Sequence, residues 1–493
     1  MPEFFEELLS STSPPTYKFY NGAGWTKSQS GKEMEINSPV DGSLVGCVPV
    51  VTQEEIDGVI ARAIQAQKAW NEVSLDKRAT IMHLAADWLR HHEEYLTRLL
   101  IMEIGKTVDE AKGEVKRTAD LIDYYTDEAR SLRGEEIDSD AFPGFEKGKI
   151  AIVNRVPWGV VLAIAPFNYP INLSASKIAP ALLMGNACVL KPPTHGSIAG
   201  LHLTQAFVKA GVPEGVISCV TGGGSEIGEY LTQHAGINMV AFTGSSETGA
   251  KLCTTSGMMP LLFECGGNNP VIVLEDADLV LTAAQIIKGG FSYAGQRCTG
   301  VKYVLSYEHI LDKLIPMVLE LVRTDVKMGD PRSSETKLVG PIITESAAKT
   351  IEQRVKDAVE AGATLVIGGK RMGTYIEPTL LSHARPEMDV VRTETFGPVV
   401  SFISIQSVEE ALRIVNSSMY GLQASIFTKD EGTGIKLGQK INVGTVQVNF
   451  SPQRGPDHFP FLGVKKSGLG VQGVRYSLEA MSRVKSIVLN KYE

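Results

Sequence analysis

Residues 159–193 read GVVLAIAPFNYPINLSASKIAPALLMGNACVLKPP. An apolar run of strand length, GVVLAIAP, leads into a segment with helical spacing, SASKIAPALLMG, and then a second apolar run, ACVLKPP. Aliphatic and β-branched runs punctuated by Gly and Pro predict strands. A strand, a crossover helix and a second strand predict a parallel pair covered on both faces. The unit recurs through IAGLHLTQAFVKAG, GVISCVTGGG, SEIGEYLTQHA, MVAFTGS, SETGAKLCTTSG and PLLFECGG, completing residues 160–267. Five strands alternating with helices of ~10–14 residues predict a doubly wound parallel sheet.

Toward the N-terminus, residues 52–130 read as helical. TQEEIDGVIARAIQAQKAW opens with Thr52 and Glu55 in capping-box spacing, followed by apolar residues at helical intervals. A turn-rich break, EIDSDAFPGFEKGK, separates these helices from the β-like IAIVNRV. Beyond residue 268, KYVLSYE, GATLVIGG, EPTLLSHA, PVVSFISI, LQASIFT and GTVQVNF predict a second α/β unit, with SVEEALRIVNSS among its helices. The last stretch, SLEAMSRVKSIVLN, predicts a helix and a terminal strand without an evident partner, so pairing with a neighbouring subunit is the expectation.

The chain has 493 residues, beyond the size at which one hydrophobic core keeps growing, so more than one domain is expected. Its net charge of −8, with no basic block, argues against nucleic acid or an anionic membrane as partner. No apolar run approaches the ~20 residues that span a bilayer. The start MPEFFEELLSS lacks a signal-peptide core. Six cysteines without CxxC spacing predict free thiols in a reducing compartment, and nine dispersed histidines without HExxH predict no metal site. A soluble cytoplasmic protein is the expectation.

Several short motifs carry chemistry. FTGSSETG (242–249) sets Gly244 and Ser245 between a strand and a helix, where a phosphate can approach backbone N–H groups and the helix dipole. TGGGSEIG (221–228) repeats the arrangement one unit earlier around Gly224. Lys191, in LKPPTHGS, could hold a ribose hydroxyl or a phosphate, although taken by itself a solvated lysine before a rigid turn is the better reading. Asn168, in APFNYPINLS, lies where open α/β sheets bind ligands, and its amide could donate to an oxyanion; a simple turn-forming Asn is the plainer alternative. Glu264, in FECGGN, ends an apolar strand where an unpaired carboxylate is costly, and could activate water. Cys265 beside it reads as structural. Cys298, in YAGQRCTG (293–300), is by itself more typical of a core thiol, but its neighbours are polar and Arg297 could lower its pKa.

In combination, FNYP, LKPP, FTGS, E-x-GG, GQRCT and ETFGPV (394–399) occur in the order and at the separations of the aldehyde dehydrogenase superfamily. The chain resembles that family from about residue 20 onward. The resemblance implies an α/β fold with a doubly wound parallel-sheet cofactor domain (1–134 and 157–268). It further implies a second α/β catalytic domain (269–480) and a small β oligomerisation element (135–156 and 481–493). It makes Cys298 the nucleophile toward an aldehyde carbon, Asn168 and the Cys298 N–H the oxyanion donors, and Glu264 the activator of the hydrolytic water. Lys191 and Glu394 would hold the riboses, Ser245 the pyrophosphate, and Phe396 the nicotinamide.

A branch of the family acting on a triose phosphate, glyceraldehyde 3-phosphate, resembles this chain through TGGGSEIGEY, KPPTHGSIAGLHL and PQRGPDHFPFLGVKKSGLGVQGVRYSLEAM. The phosphate ligands carry over to Arg117, Tyr169, Arg297 and Arg454, arginine being suited to a phosphate by its forked donors and permanent charge. Many NAD-using members carry a glutamate where this chain has Thr194. A neutral residue there spares a 2′-phosphate like-charge repulsion and predicts NADP as cofactor. The family's usual lysine after E-x-GG is Asn268 here, which bears on the charge state and orientation of Glu264. The resemblance also implies a homotetramer built from dimers. Two alternatives stay open: an aldehyde dehydrogenase for another acidic aldehyde such as a semialdehyde, and a non-catalytic NADP-binding protein on the same scaffold.

Overall fold

A computed structural model of the chain describes residues 3–144 and 148–490. Residues 1–2, 145–147 and 491–493, which the expected domain boundaries include, lie outside the described residues. The strands Val160–Ile164, Ala187–Lys191, Ile217–Cys219, Met239–Thr243 and Leu261–Glu264 form the parallel centre of an eight-stranded sheet. Numbered along the chain, their spatial order is 5-4-1-2-3. The winding therefore reverses between Val160–Ile164 and Met239–Thr243, which pair in parallel. Ligands of such sheets bind outside the carboxyl ends of the strands at this reversal.

Both faces of the sheet are covered, and the period-2 alternation of a strand shows how. Val160 and Leu162 bury with Ile56, Val59, Ile60 and Ala63 of the helix Gln53–Glu72. Val161 and Ala163 point the other way, into the cluster containing Ala175, Ile178 and Ala179 of the helix Asn172–Leu183. Full burial of an aliphatic side chain contributes ~1.5–3 kcal/mol. That is why these strands are uniformly apolar and why both helices have fixed docking faces. The capping box that starts Gln53–Glu72 is formed: the Glu55 N–H donates to Thr52 Oγ1 at 3.2 Å, and the Thr52 N–H to Glu55 Oε2 at 2.8 Å.

The second α/β unit is a seven-stranded sheet in the order Thr364–Ile367, Thr379–Ser382, Val399–Ser404, Val301–Ser306, Asn269–Val273, Gln423–Phe427, Thr445–Val448. Asn269–Val273, an inner strand, went unrecognised in the sequence because it is short and follows Glu264 after only a glycine turn. A four-stranded sheet of Leu9–Thr12, Pro15–Tyr17, Glu33–Asn37 and Leu44–Pro49 precedes the helices.

Two connections cross the expected boundary at residue 268. Gly468–Leu469 adds an antiparallel edge strand to the cofactor sheet beside Leu261–Glu264. The helix Val474–Ala480 packs on Val108–Ala129 and Asn172–Leu183. The terminal strand Ser482–Asn490 has a partner in its own chain: it pairs along its whole length with Lys149–Pro157, from Ser482↔Pro157 to Asn490↔Lys149. Glu135–Asp138 completes this three-stranded sheet. The helix Val474–Ala480 thus leads the chain back to a strand laid down more than three hundred residues earlier.

Candidate active site

A cavity of about 770 Å³ opens at the reversal point. Each predicted cofactor residue lines it: Lys191, Thr194, Gly224, Gly244, Ser245, Glu394 and Phe396. Asn168 and Cys298 line it as well. So does Cys265, whose expected role was structural: it follows the strand Leu261–Glu264 and is buried in one cluster with Phe242 and Phe263. His195, Ser225 and Lys251 also line the cavity; the first two lie within LKPPTHGS and TGGGSEIG, but their side chains there read as ordinary turn residues.

The two glycine-containing loops have a physical basis. Ser245 caps the helix Ser246–Thr255 by accepting the Thr248 N–H at 3.2 Å. A Cβ on Gly244 would strike the Phe242 ring, whereas Gly224 faces open space. Lys191 is 6% exposed, and its ammonium donates to the Pro192 carbonyl at 3.1 Å. Burial pushes its pKa down to about 8, and no carboxylate among the described residues offsets this. A buried cation without an anion, beside the neutral Thr194, fits a phosphate monoester attached to the cofactor's adenosine ribose.

At the opposite end, Phe396 meets Phe167 edge to face, with centroids 5.8 Å apart. Glu394 Oε1 accepts the Gly267 N–H at 3.1 Å, and a Cβ on Gly266 would collide with the other carboxylate oxygen. Burial pushes the Glu394 carboxyl up to about 7, opposed by Lys302, whose own ammonium is pushed down to about 8 by burial. Lys302 Nζ donates to the Gly295 carbonyl at 2.8 Å and so holds the loop before Cys298.

That loop is unusual backbone. Tyr293 and Ala294 both adopt φ 51°, a left-handed conformation uncommon for non-glycine residues and costly by ~1–3 kcal/mol. Gly295, at φ 69°, has no room for a Cβ against the Gly397 carbonyl. Asn168 Nδ2 donates one hydrogen to the Gln296 carbonyl at 3.0 Å, leaving the amide's second hydrogen. Burial pushes the Cys298 thiol up to about 12; the Glu264 and Glu394 carboxylates raise it further, and Arg454 and Arg297 oppose them. The resting thiol is therefore protonated and needs a base or a nearby cation to become a nucleophile.

Glu264 is 3% exposed. Arg454 Nη1 lies 2.8 Å from both of its carboxylate oxygens. The Thr243 hydroxyl donates to Glu264 Oε2 at 3.3 Å and accepts from the fully buried Lys177 ammonium at 2.7 Å. Burial pushes Lys177 down to about 8, opposed chiefly by Glu264. A chain Lys177–Thr243–Glu264 thus leads from the buried interior to the candidate base. Lys177 sits in an apolar helix pattern, which is why it was not legible in the sequence.

Of the arginines, the structure joins two. Arg117 donates Nε and Nη2 to the two oxygens of Asp457, each at 2.7 Å, and Nη2 to the Arg454 carbonyl at 3.1 Å. Arg454 Nε lies 3.6 Å from Asp457 and Nη2 donates to Gln472 at 3.1 Å. A cavity of about 280 Å³ adjoins Arg454 and Asp457. Arg297 is held by the hydroxyls of Ser292 (2.5 Å) and Thr299 (3.2 Å) on its own loop. Tyr169 lies against the Lys106 ammonium, which stands 3.6 Å from its ring centroid.

The aldehyde dehydrogenase family model matches residues 25–487. The chain belongs to the aldehyde dehydrogenase family. It is 47% identical over 476 residues to an NADP-dependent glyceraldehyde-3-phosphate dehydrogenase of Pisum sativum, covering 96% of this chain and 95% of the relative. It is 48% identical to the enzyme of that name from Streptococcus equinus, covering 96% and 98% of the two chains. The crystal structure of an NADP-dependent glyceraldehyde-3-phosphate dehydrogenase from Bacillus halodurans C-125 complexed with NADP superposes with a TM-score of 0.94 at 46% identity, covering 96% and 99%.

In this aldehyde dehydrogenase the position after E-x-GG is occupied by Asn268, whose Nδ2 donates to the Val391 carbonyl at 2.5 Å. The side chain thus reaches toward the helix Asp389–Arg392, and the hydrogen-bond partners of Glu264 are Arg454 and Thr243. The charge facing Glu264 comes from Arg454 and, through Thr243, from Lys177. The Asn268 Oδ1 is buried without a partner, for which the structure offers no reason. Among the described residues no helix is long and apolar enough to cross a membrane, and no group of three metal-binding side chains occurs.

Proposed function

We propose that this aldehyde dehydrogenase oxidises D-glyceraldehyde 3-phosphate irreversibly to 3-phosphoglycerate, using NADP and water. The observation that carries this reading is one of arrangement. A thiol and an amide line the cofactor cavity, and the carboxylate of Glu264 leads directly to a linked pair of arginines.

Cys298 gives its proton to water, and its sulfur bonds to the aldehyde carbon. The carbonyl oxygen takes the negative charge and is met by the free hydrogen of Asn168 Nδ2 and the Cys298 N–H. NADP, when bound, supplies the acceptor for the hydride that this carbon then releases. A thioester remains on Cys298. Glu264 removes a proton from water as the water oxygen bonds to the thioester carbon, and the C–S bond breaks to return the thiol. Splitting the oxidation in this way suits sulfur, which attacks readily and leaves readily. Lys191 and Thr194 would hold the 2′-phosphate, Gly224, Gly244 and Ser245 the pyrophosphate, and Glu394 and Phe396 the nicotinamide end. Arg117, Tyr169, Arg297 and Arg454 would bind the substrate phosphate.

The expected assembly is a homotetramer of dimers. The strand Ser482–Asn490 supports it, since its outer edge is free in the chain's own three-stranded sheet and its apolar residues Val484, Ile487, Val488 and Leu489 are exposed. The expected compartment is the cytoplasm, supported by six free cysteines. Product analysis with glyceraldehyde 3-phosphate and NADP, in buffer free of inorganic phosphate, tests the reaction. NADPH and 3-phosphoglycerate should form in equal amounts; strict dependence on added phosphate would overturn the hydrolytic mechanism.

A further inference from the structure

Two carboxylates of the helix Val108–Ala129 have no part in the chemistry above, yet each ends on one of the two loops that meet at Cys298. Glu114 Oε1 accepts the N–H groups of Ile171 at 2.9 Å and Asn172 at 3.0 Å, just beyond Asn168. Its Oε2 pairs with the Lys106 ammonium at 2.5 Å, both side chains being fully buried. One helical turn earlier, on the same face, Glu110 Oε1 accepts the Tyr293 N–H at 2.5 Å. Tyr293 begins the left-handed stretch that leads to Cys298, and its hydroxyl donates to the Ile104 carbonyl at 2.9 Å.

Lys106 lies between the loops. Its ammonium is 3.6 Å from the Tyr169 ring centroid and 4.9 Å from that of Tyr293, one aromatic from each loop. The Asn168–Gln296 hydrogen bond then joins the loops directly. A helix is stiff over one turn, so carboxylates anchored four residues apart hold their two targets at a set separation. An N–H held on a left-handed, non-glycine residue has work to do, because that backbone relaxes when its partner is removed.

We propose that Lys106, Glu110 and Glu114 form a positioning clamp that sets the Asn168 amide against the Cys298 sulfur for the attack on the aldehyde. The proposal rests on the reading of Cys298 and Asn168 as nucleophile and oxyanion donor. Displacing reacting groups by about 1 Å lowers a rate by on the order of a hundredfold, so the clamp should act on acylation rather than on binding.

The test compares Glu110→Ala, Glu110→Gln and Glu110→Asp in the full-length enzyme. Gln keeps one acceptor oxygen for the Tyr293 N–H and gives up the helix-cap bond in which Glu110 Oε2 accepts the Thr107 N–H at 3.2 Å; Asp keeps the charge but withdraws the acceptor by one methylene. Three readouts are the NADPH burst with glyceraldehyde 3-phosphate, the pH profile of Cys298 alkylation by iodoacetamide, and NADP affinity by fluorescence titration. Glu110→Ala should slow the burst by ~10–100-fold and shift the alkylation profile, with NADP affinity within about threefold of wild type. Glu110→Gln should recover most of the rate. A wild-type burst in Glu110→Ala, a loss of burst in step with NADP affinity, or a Gln variant as slow as Ala would each overturn the clamp. If the Ala variant does not fold, a slow Asp beside a fast Gln supports the proposal, and equal rates for the two overturn it. Alkylation and NADP titration need no triose phosphate. An error in the assigned substrate would remove the burst from wild type and leave the alkylation contrast to decide the clamp.

Discussion

Arg454 grips Glu264: a single guanidinium nitrogen lies 2.8 Å from each oxygen of the candidate base. The same arginine is tied to Asp457 and, through its carbonyl, to Arg117. A substrate phosphate drawn to Arg454 would compete with Glu264 for the guanidinium. In the proposed reaction Arg454 would serve both the base and the substrate phosphate, and binding and hydrolysis would be coupled through it.

Arg454→Ala should raise KM for glyceraldehyde 3-phosphate by ~10–100-fold, the equivalent of the ~1.5–3 kcal/mol of a charge-assisted hydrogen bond. KM for a neutral aldehyde should hardly change. Steady-state kinetics on both substrates check this, and an equal rise for the two would remove Arg454 from the phosphate site.

Glu264→Gln should keep the NADPH burst and lose steady-state turnover by ~10²–10⁴-fold, because hydrolysis alone loses its base. The same variant should alkylate faster at Cys298 at fixed neutral pH. Burial is the largest cause of the raised thiol pKa and the Glu264 charge the next, so removing that charge lowers the pKa and enlarges the thiolate fraction. Slower alkylation would contradict this electrostatic account.

NADP affinity should weaken as pH rises through about 8, the value to which burial pushes Lys191. Below that pH the free enzyme already carries the ammonium; above it, binding the 2′-phosphate must take up a proton. The dissociation constant then rises by up to about tenfold per pH unit, while that for NAD stays flat. Isothermal titrations of both cofactors across this range check it, and parallel curves would exclude Lys191 as the phosphate partner.

Thr194→Glu should weaken NADP binding by ~10–100-fold and leave NAD unchanged or improved, since it sets a carboxylate against the 2′-phosphate. The ratio of kcat/KM for the two cofactors is the measurement. A ratio unmoved by the substitution would mean that the phosphate lies elsewhere in the cavity.

Glu103 is fully buried and accepts the N–H groups of Gly196, Ile198 and Ala199 at 2.8–3.0 Å, so it anchors the segment carrying Thr194 and His195. Glu103→Ala leaves three buried donors without a partner and should lower stability by at least ~1–3 kcal/mol, with weaker NADP binding. Denaturant unfolding with and without NADP tests both parts.

Sequence periodicity alone was enough to determine the five parallel strands at the centre of the cofactor sheet. These strands are apolar on both faces; Lys191 and Gly244 sit at strand ends and Gly224 at the start of a helical turn, where local chemistry marks them. Cys298, Asn168 and Glu264 became legible only as a set, since each has an ordinary reading when taken alone. The tertiary structure decided the partnerships. Arg454 and Glu264 are 190 residues apart and Arg117 and Asp457 are 340 apart, distances over which no local pattern carries information. Lys177 is hidden in an apolar helix and Glu110 also caps its own helix by accepting the Thr107 N–H, so their contacts with Thr243 and Tyr293 come into view only when the loops close around them. The terminal strand makes the same point: its β-branched run announced a strand, but only the folded chain brings back Lys149–Pro157 as its partner.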